Sequence, residues 1–167
     1  MSAVLRFAIQ SPSPVGAWTI VSDGQAIVGV YSERHRNPPS LPRRITADSL
    51  CDEASRQISE YFAGRRTSFD VLLAPAGSEF DHRVWDALRE IPFGITCCYS
   101  ELAQRIGSPN AARAVGAANG RNPISLLIPC HRVIGAGGAH VGYAGGLSVK
   151  AWLLDHEMTH CAQFAAR

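Results

Sequence analysis

Apolar and polar residues alternate along "VLRFAI" and again along "GAWTIVSDGQAIVGVYS", a period of two that predicts strands with one buried face. Asp23-Gly24 interrupts the second stretch and is a hairpin turn signal. The polar, proline-rich "SERHRNPPSLPRR" predicts a loop. The period then lengthens. Leu50, Ala54, Ile58, Tyr61 and Phe62 share one face of a helix over 47–63, with Gly64 as its stop. "SFDVLL" predicts a short strand returning to the sheet, and "LAPAG" reads as a linker to a second unit.

From Ser78 onward the pattern is helical. Ser78 caps a helix that turns Phe80, Val84, Trp85 and Leu88 inward, and Pro92 with Gly94 ends it. Ser100 opens a short helix containing Leu102, Ala103 and Ile106, closed by Gly107, and Ser108-Pro109 opens the next. Two short helices joined through a glycine turn are a helix-turn-helix signature. An apolar strand "ISLLI" and a final helix "SVKAWLLDHEM", capped by Ser148, complete the pattern. The expected fold class is α/β (α+β). A small β-sheet domain with one helix, over 1–75, precedes a mainly helical domain over 76–167 that holds the helix-turn-helix and the "PCHRV" turn.

Composition adds an ordinary globular character, with 46% hydrophobic and 18% charged residues in 167. No run of 18 apolar residues exists and the N-terminus lacks a signal-peptide pattern, so a soluble, cytoplasmic protein is expected. Cys51, Cys97, Cys98, Cys130 and Cys161 are odd in number and without zinc spacing. Free thiols are expected, with no disulfide framework, metal or cofactor. Charge is unevenly placed: between Glu101 and Asp155 there is no acid, while Arg105, Arg113, Arg121, Arg132 and Lys150 all fall inside, a net +5. Such a window attracts a polyanion, with phosphate the usual candidate.

The chemistry centres on "NPISLLIPCHRVIG". Chance alone gives roughly 0.2 Cys-His pairs in such a chain, so the pair needs context. A cysteine attacks as thiolate and needs a neighbour to take its proton. Adjacent residues in a strand point to opposite faces, which argues against direct contact between Cys130 and His131 there. If Pro129 ends the strand and turns the chain, the two act together through a water. His131 then needs an orienting carboxylate, and only Asp155 and Glu157 lie downstream. Upstream, "SPNAARAVGAANGRNP" is nearly all Ala and Gly around Arg113. It suits either tight helix packing or a low-relief face pressed into a nucleic-acid groove; the positive window favours the groove. The loop "GAGGAHVGYAGG" sets Tyr143 beside the nucleophile, where an aromatic wall fits a flat ligand such as a base.

"PCHRV" preceded by "NP", with upstream "ARAVG" and downstream "GYAGGL..K..LL..E", resembles the O6-alkylguanine-DNA alkyltransferases, from about Phe80 to Glu157. The N-terminal part is similar to the family, with its ribonuclease H-like layout, only in its β-rich order and "YFAG" helix ending. The resemblance implies that Cys130 accepts the alkyl group irreversibly, that His131 is its water-linked base and that Glu157, not Asp155, orients the base. It implies that Asn122 ties the helix-turn-helix to the active-site turn and that the Tyr99 hydroxyl meets the guanine. Arg113 would replace the extruded nucleotide, on a DNA-binding face with Ala112, Ala114, Gly116, Asn119 and Arg121. Tyr99, Arg132, Val133, Tyr143, Ala144 and Gly145 would wall the base pocket. The implied partner is duplex DNA containing O6-alkylguanine, bound from the minor groove with little sequence preference by a monomer, with no membrane involved.

The sequence departs from relatives at Ala144, a serine in some, and at Ser125, a proline in some. The N-terminal region lacks the Cys/His set that binds zinc in some members, and a stand-alone repair protein is expected. Two other readings stay open: a helix-turn-helix regulator with a structural or redox-sensing cysteine, and a cysteine hydrolase.

Overall fold

The computed structural model describes residues 7–41 and 46–165. The first residues of the predicted "VLRFAI" strand, before Phe7, and the end of the predicted proline-rich loop, 42–45, lie outside the described residues. Three strands, β1 (Phe7–Ser11), β2 (Trp18–Ser22) and β3 (Ile27–Ser32), form an antiparallel meander in that order, with Ile9 opposite Ile20 and Ile20 opposite Val30. The turn between β2 and β3 is built as Asp23-Gly24 predicts. Gly24 adopts φ +91°, and Asp23 Oδ1 accepts from the backbone N–H groups of Gln25 and Ala26.

Helix α1 (Ser49–Phe62) packs on β1 and β2 through Cys51, Ala54, Ile58 and Tyr61, all buried. Each large apolar side chain buried there is worth roughly 1.5–3 kcal/mol. Asp48 caps the helix by accepting from Cys51 N at 2.8 Å, and its other oxygen accepts from Ser22 Oγ at 2.7 Å, pinning the helix start to the end of β2. Gly64, at φ +71°, stops it.

Helix α2 (Glu79–Arg89) starts in a capping box between Ser78 and Asp81. Then come β4 (Cys97–Cys98), α3 (Tyr99–Arg105), α4 (Ala112–Gly120), β5 (Val133–Ile134) and α5 (Leu147–Ala165), with β4 and β5 paired in parallel. Helices α3 and α4 pack on each other and on α2 as the helix-turn-helix. A single apolar core runs through both halves, from Trp18, Ile20 and Ile58 to Trp85, Leu102, Val115 and Leu153. Among the described residues no helix is long and apolar enough to cross a membrane.

Five local expectations are corrected. "SFDVLL" contributes one parallel bridge, Leu73 to Ile27, and no strand. Helix α3 begins at Tyr99 with Cys98 as its cap residue, one position before Ser100. Ser108-Pro109 does not open α4: Ser108 O accepts from Ala111 N in a turn, and the helix starts at Ala112. Ser148 lies inside α5, where Gly146 O takes the first helical bond from Lys150 N. The apolar run Ile124–Ile128 is a buried turn, with Leu126 at φ +73° and one bridge from Ile124 to β3. A turn buried on all sides leaves the same apolar signature as a core strand.

Candidate active site and nucleic-acid surface

Asn122 closes that buried turn. Its Nδ2 donates to Ile128 O at 2.9 Å and its Oδ1 accepts from Ile124 N at 3.0 Å, so one side chain ties both ends together. Pro129, at φ −80° and ψ 63°, then redirects the chain into a 3-10 turn over Cys130–Arg132. Cys130 and His131 therefore stand on a turn, and the objection from alternating strand faces lapses. Asn119 on α4 donates to Cys130 O at 3.4 Å, joining the helix-turn-helix to the same turn.

His131 is fully buried, and its Nε2–H donates to Glu157 Oε1 at 2.7 Å. Asp155 is exposed and takes no part. The remaining ring nitrogen, Nδ1, is buried and meets no hydrogen-bond partner among the described residues. That leaves Nδ1 as the atom able to receive a proton. Glu157 also accepts from Arg132, through Nε to Oε2 at 2.9 Å and Nη2 to Oε1 at 3.0 Å, and from Gly94 N at 3.0 Å. Burial pushes the carboxyl up, but His131 and Arg132 outweigh it and hold Glu157 well below the usual carboxylate range.

Burial lowers the His131 pKa, opposed by the Glu157 charge, so the imidazole is neutral near pH 7. Burial likewise raises the Cys130 thiol, against the Asn122 side chain, the Lys150 charge and Ser125. A protonated thiol one residue from a neutral, carboxylate-bound imidazole can act as a nucleophile only when a base takes its proton at the moment of reaction. Lys150, fully buried, donates from Nζ to Val133 O at 2.5 Å and Val141 O at 2.8 Å, fastening β5 to the glycine-rich loop.

A cavity of about 340 Å3 is lined by Tyr99, Gly116, Ala117, Gly120, Tyr143 and Ala144, with His35, Arg36 and Asn37 on the side of the N-terminal part. The turn residues do not line it, and Cys130 acts electrostatically on Tyr99 and Tyr143, which do. Of the residues expected around a base, Tyr99, Tyr143 and Ala144 line it. The Tyr99 hydroxyl donates to Val141 O at 3.3 Å. Gly145 is buried beside the cavity, where a Cβ would stand 2.7 Å from Ser32 Oγ and from the Tyr143 ring. Val133 is buried in β5, and Arg132 sits away from the cavity in its ion pair with Glu157, so the expectation that Arg132 walls the pocket is corrected.

On α4, Arg113 and Ala114 are exposed, Ala112 is half-buried and Gly116 faces the Tyr99 ring. Asn119 points inward. Arg121 is held by Asp81 at 2.6 Å. The positive window is thus split: Arg132 and Lys150 are buried, Arg121 is exposed but paired with Asp81, and Arg105 and Arg113 stand exposed at the surface. Among the described residues no group of three or more His, Cys, Asp or Glu could hold a metal ion.

Sequence reasoning missed Tyr61, whose hydroxyl reaches Glu157, and the His35–Asn37 wall; no local pattern signals either. It also gave Lys150 no role. Lys150 precedes Glu157 by seven residues, two helical turns, and a lysine on that apolar face was a usable sign.

A buried thiol one residue from a carboxylate-bound histidine, on a turn held by Asn119 of a helix-turn-helix, is an arrangement suited to thiol chemistry joined to a nucleic-acid-binding element. Family profiles match nearly the whole chain: the 6-O-methylguanine DNA methyltransferase ribonuclease-like domain over residues 9–75 and the DNA binding domain of the same proteins over residues 79–159. The methylated-DNA–protein-cysteine methyltransferase of Methanosarcina acetivorans is 47% identical over 146 residues, 87% of this chain and 94% of its own. The crystal structure of Mycobacterium tuberculosis O6-methylguanine methyltransferase superposes with a TM-score of 0.82 at 42% identity, covering 93% of this chain and 94% of that one. The same organism's protein in complex with DNA gives 0.81 at 42% identity, over 93% of each chain. The chain belongs to the O6-methylguanine-DNA methyltransferase family.

Proposed function

We propose that the protein repairs DNA by taking the methyl group from O6 of guanine onto Cys130, once per molecule. The observation that carries this reading is the buried Cys130 thiol beside the His131–Glu157 pair, next to a cavity walled by the helix-turn-helix. As the thiol proton passes to His131 Nδ1 through a water, the sulfur attacks the methyl carbon. The S–C bond forms as the C–O6 bond breaks, and the electron pair returns to the purine, which takes up a proton with help from the Tyr99 hydroxyl. Glu157 steadies the imidazolium that results. No water attacks the thioether, so the alkyl group stays on the protein.

The methyl carbon lies inside the duplex, and the nucleotide must leave the stack to reach a buried sulfur. Arg113 fills the vacated space and offsets part of the unstacking cost, of a few kcal/mol. The helix face around it carries Ala112, Ala114 and Gly116, small enough for a minor groove only about 6 Å wide. Asn122 and Asn119 link that helix to the catalytic turn, and Tyr99, Tyr143, Ala144 and Gly145 receive the base. Residues 1–75 and 76–167 act as scaffold and reactive domain, and the protein works as a monomer in the cytoplasm.

Incubation with a duplex containing O6-methylguanine, followed by intact mass and peptide mapping, tests the reading. One added methyl per chain, on Cys130 and absent in Cys130→Ser, is expected. DNA binding without mass gain would support a helix-turn-helix regulator instead, and turnover without retained mass a hydrolase.

A further inference from the structure

We infer that Tyr61, a residue of the N-terminal β-rich part, is a positioning residue for alkyl transfer: its hydroxyl holds the Glu157 oxygen that orients His131. The inference deepens the reading of Cys130 as alkyl acceptor and rests on it. Tyr61 lies in the last turn of α1 and is fully buried. Its hydroxyl donates to Glu157 Oε1 at 2.8 Å, the same oxygen that His131 Nε2–H reaches at 2.7 Å. Its backbone carbonyl accepts from His156 Nε2 at 2.8 Å. Two successive residues of α5 therefore grip both ends of one tyrosine. Its ring is packed between Phe69 and Phe93, at centroid distances of 5.7 and 5.9 Å, so the hydroxyl has one address.

The physical consequence concerns the base. Every donor on Oε1 withdraws electron density from the bond to His131 and makes the imidazolium less stabilised. Burial, and after it the Glu157 charge, pushes the Tyr61 phenol well above its ordinary value, so it remains a donor wherever the protein is folded. Other groups around the pair are Arg132 and the Gly94 N–H on the carboxylate, Cys130, Tyr143 and Lys150 on the cavity side, and Asp155, His156 and His160 along α5. Tyr61→Phe leaves all of these in place and deletes one hydroxyl. His131 then holds its proton more tightly, and the acid limb of the transfer rate moves to higher pH. Docking of the N-terminal part is thereby coupled to the strength of the base 70 residues downstream in the chain.

The test compares full-length wild type, Tyr61→Phe and Phe69→Leu. Single-turnover methyl transfer from an O6-methylguanine duplex is followed between pH 5 and 8, and the His131 ring is titrated by NMR without DNA. For Tyr61→Phe both midpoints are expected to rise by about half to one unit, a roughly 3- to 10-fold loss of rate on the acid limb. Phe69→Leu removes a ring contact and spares the hydroxyl; it should lower Tm and leave both midpoints unmoved. Coincident midpoints for Tyr61→Phe and wild type would overturn the inference, as would an equal shift in Phe69→Leu. If wild type takes up no methyl, the proposed function fails, while the His131 titration still decides the role of Tyr61.

Discussion

Lys150 places an ammonium where no solvent reaches it, and it does so by exchanging water for two carbonyls, Val133 O and Val141 O. Burial lowers its pKa and the Cys130 charge, when present, raises it. The residue thus links three things: the short parallel pairing beneath the thiol, the loop that carries Tyr143, and the electrostatics of the sulfur. Lys150→Met keeps the length of the side chain and abandons both carbonyls. The expected cost is about 1–3 kcal/mol of stability in urea unfolding. Methyl transfer should slow as well, because the cavity wall from Val141 to Gly145 loses its fastening and the thiolate loses a nearby positive charge. A variant with wild-type stability and rate would show that the two carbonyls find other donors and that the lysine only fills space.

Helix α4 works by what it lacks. Val115, Ala118 and Asn119 turn inward, while Arg113, Ala114 and Ala117 face outward, leaving one long side chain on an otherwise flat surface. Arg113→Ala removes no buried contact, so Tm should stay unchanged. Repair of a methylated duplex should fall by tenfold or more, while reaction with free O6-benzylguanine, which needs no extrusion, should hold near the wild-type rate. Equal losses on both substrates would remove the role of Arg113 as the residue that enters the stack. The helical elements themselves were legible wherever caps and period agreed, as at Ser78 with its buried Val84, Trp85 and Leu88. Start signals misled where a turn used the same residues: Ser108-Pro109 is satisfied by its own turn before α4 begins. Cys130, His131 and one of Asp155 or Glu157 could be brought together by a turn and a triad argument, with the resemblance choosing Glu157, whereas Tyr61 and Glu157 are 96 positions apart and meet only through packing. Charge counting failed for a related reason. It cannot tell Arg113, which faces solvent, from Arg132, which is buried against Glu157.

At the scale of the molecule, one set of buried groups governs both reactivity and pH tolerance. Burial lowers the pKa of His131 and of His156, so each binds its proton more weakly in the folded chain than in the unfolded one. Their contribution to stability is complete above about pH 6.5, the ordinary histidine value, and is lost as pH falls below it. Glu157 is also held low, so its share is complete above about pH 4.3 and is lost only on further acidification. Burial acts in the opposite direction on the thiols, pushing Cys51 up to about 12 and raising Cys97 and Cys130. Those groups favour the fold fully below about pH 8.5, and their share is lost as pH rises through that value. The expected curve of Tm against pH is a plateau between about pH 7 and 8, with a first decline already under way by about pH 6 and a steeper one near pH 4. On the alkaline side, Cys51→Ala should flatten part of the decline, since the Cys51 thiol sits in the core against Ile20 O and Asp48, outside the catalytic turn, and the Asp48 cap keeps its backbone partner. Differential scanning calorimetry from about pH 3 to 10 checks all three limbs. A curve flat from pH 8 down to pH 5 would mean that His131 and His156 take up protons as easily folded as unfolded, and the neutral, carboxylate-bound base assigned to His131 would lose its footing.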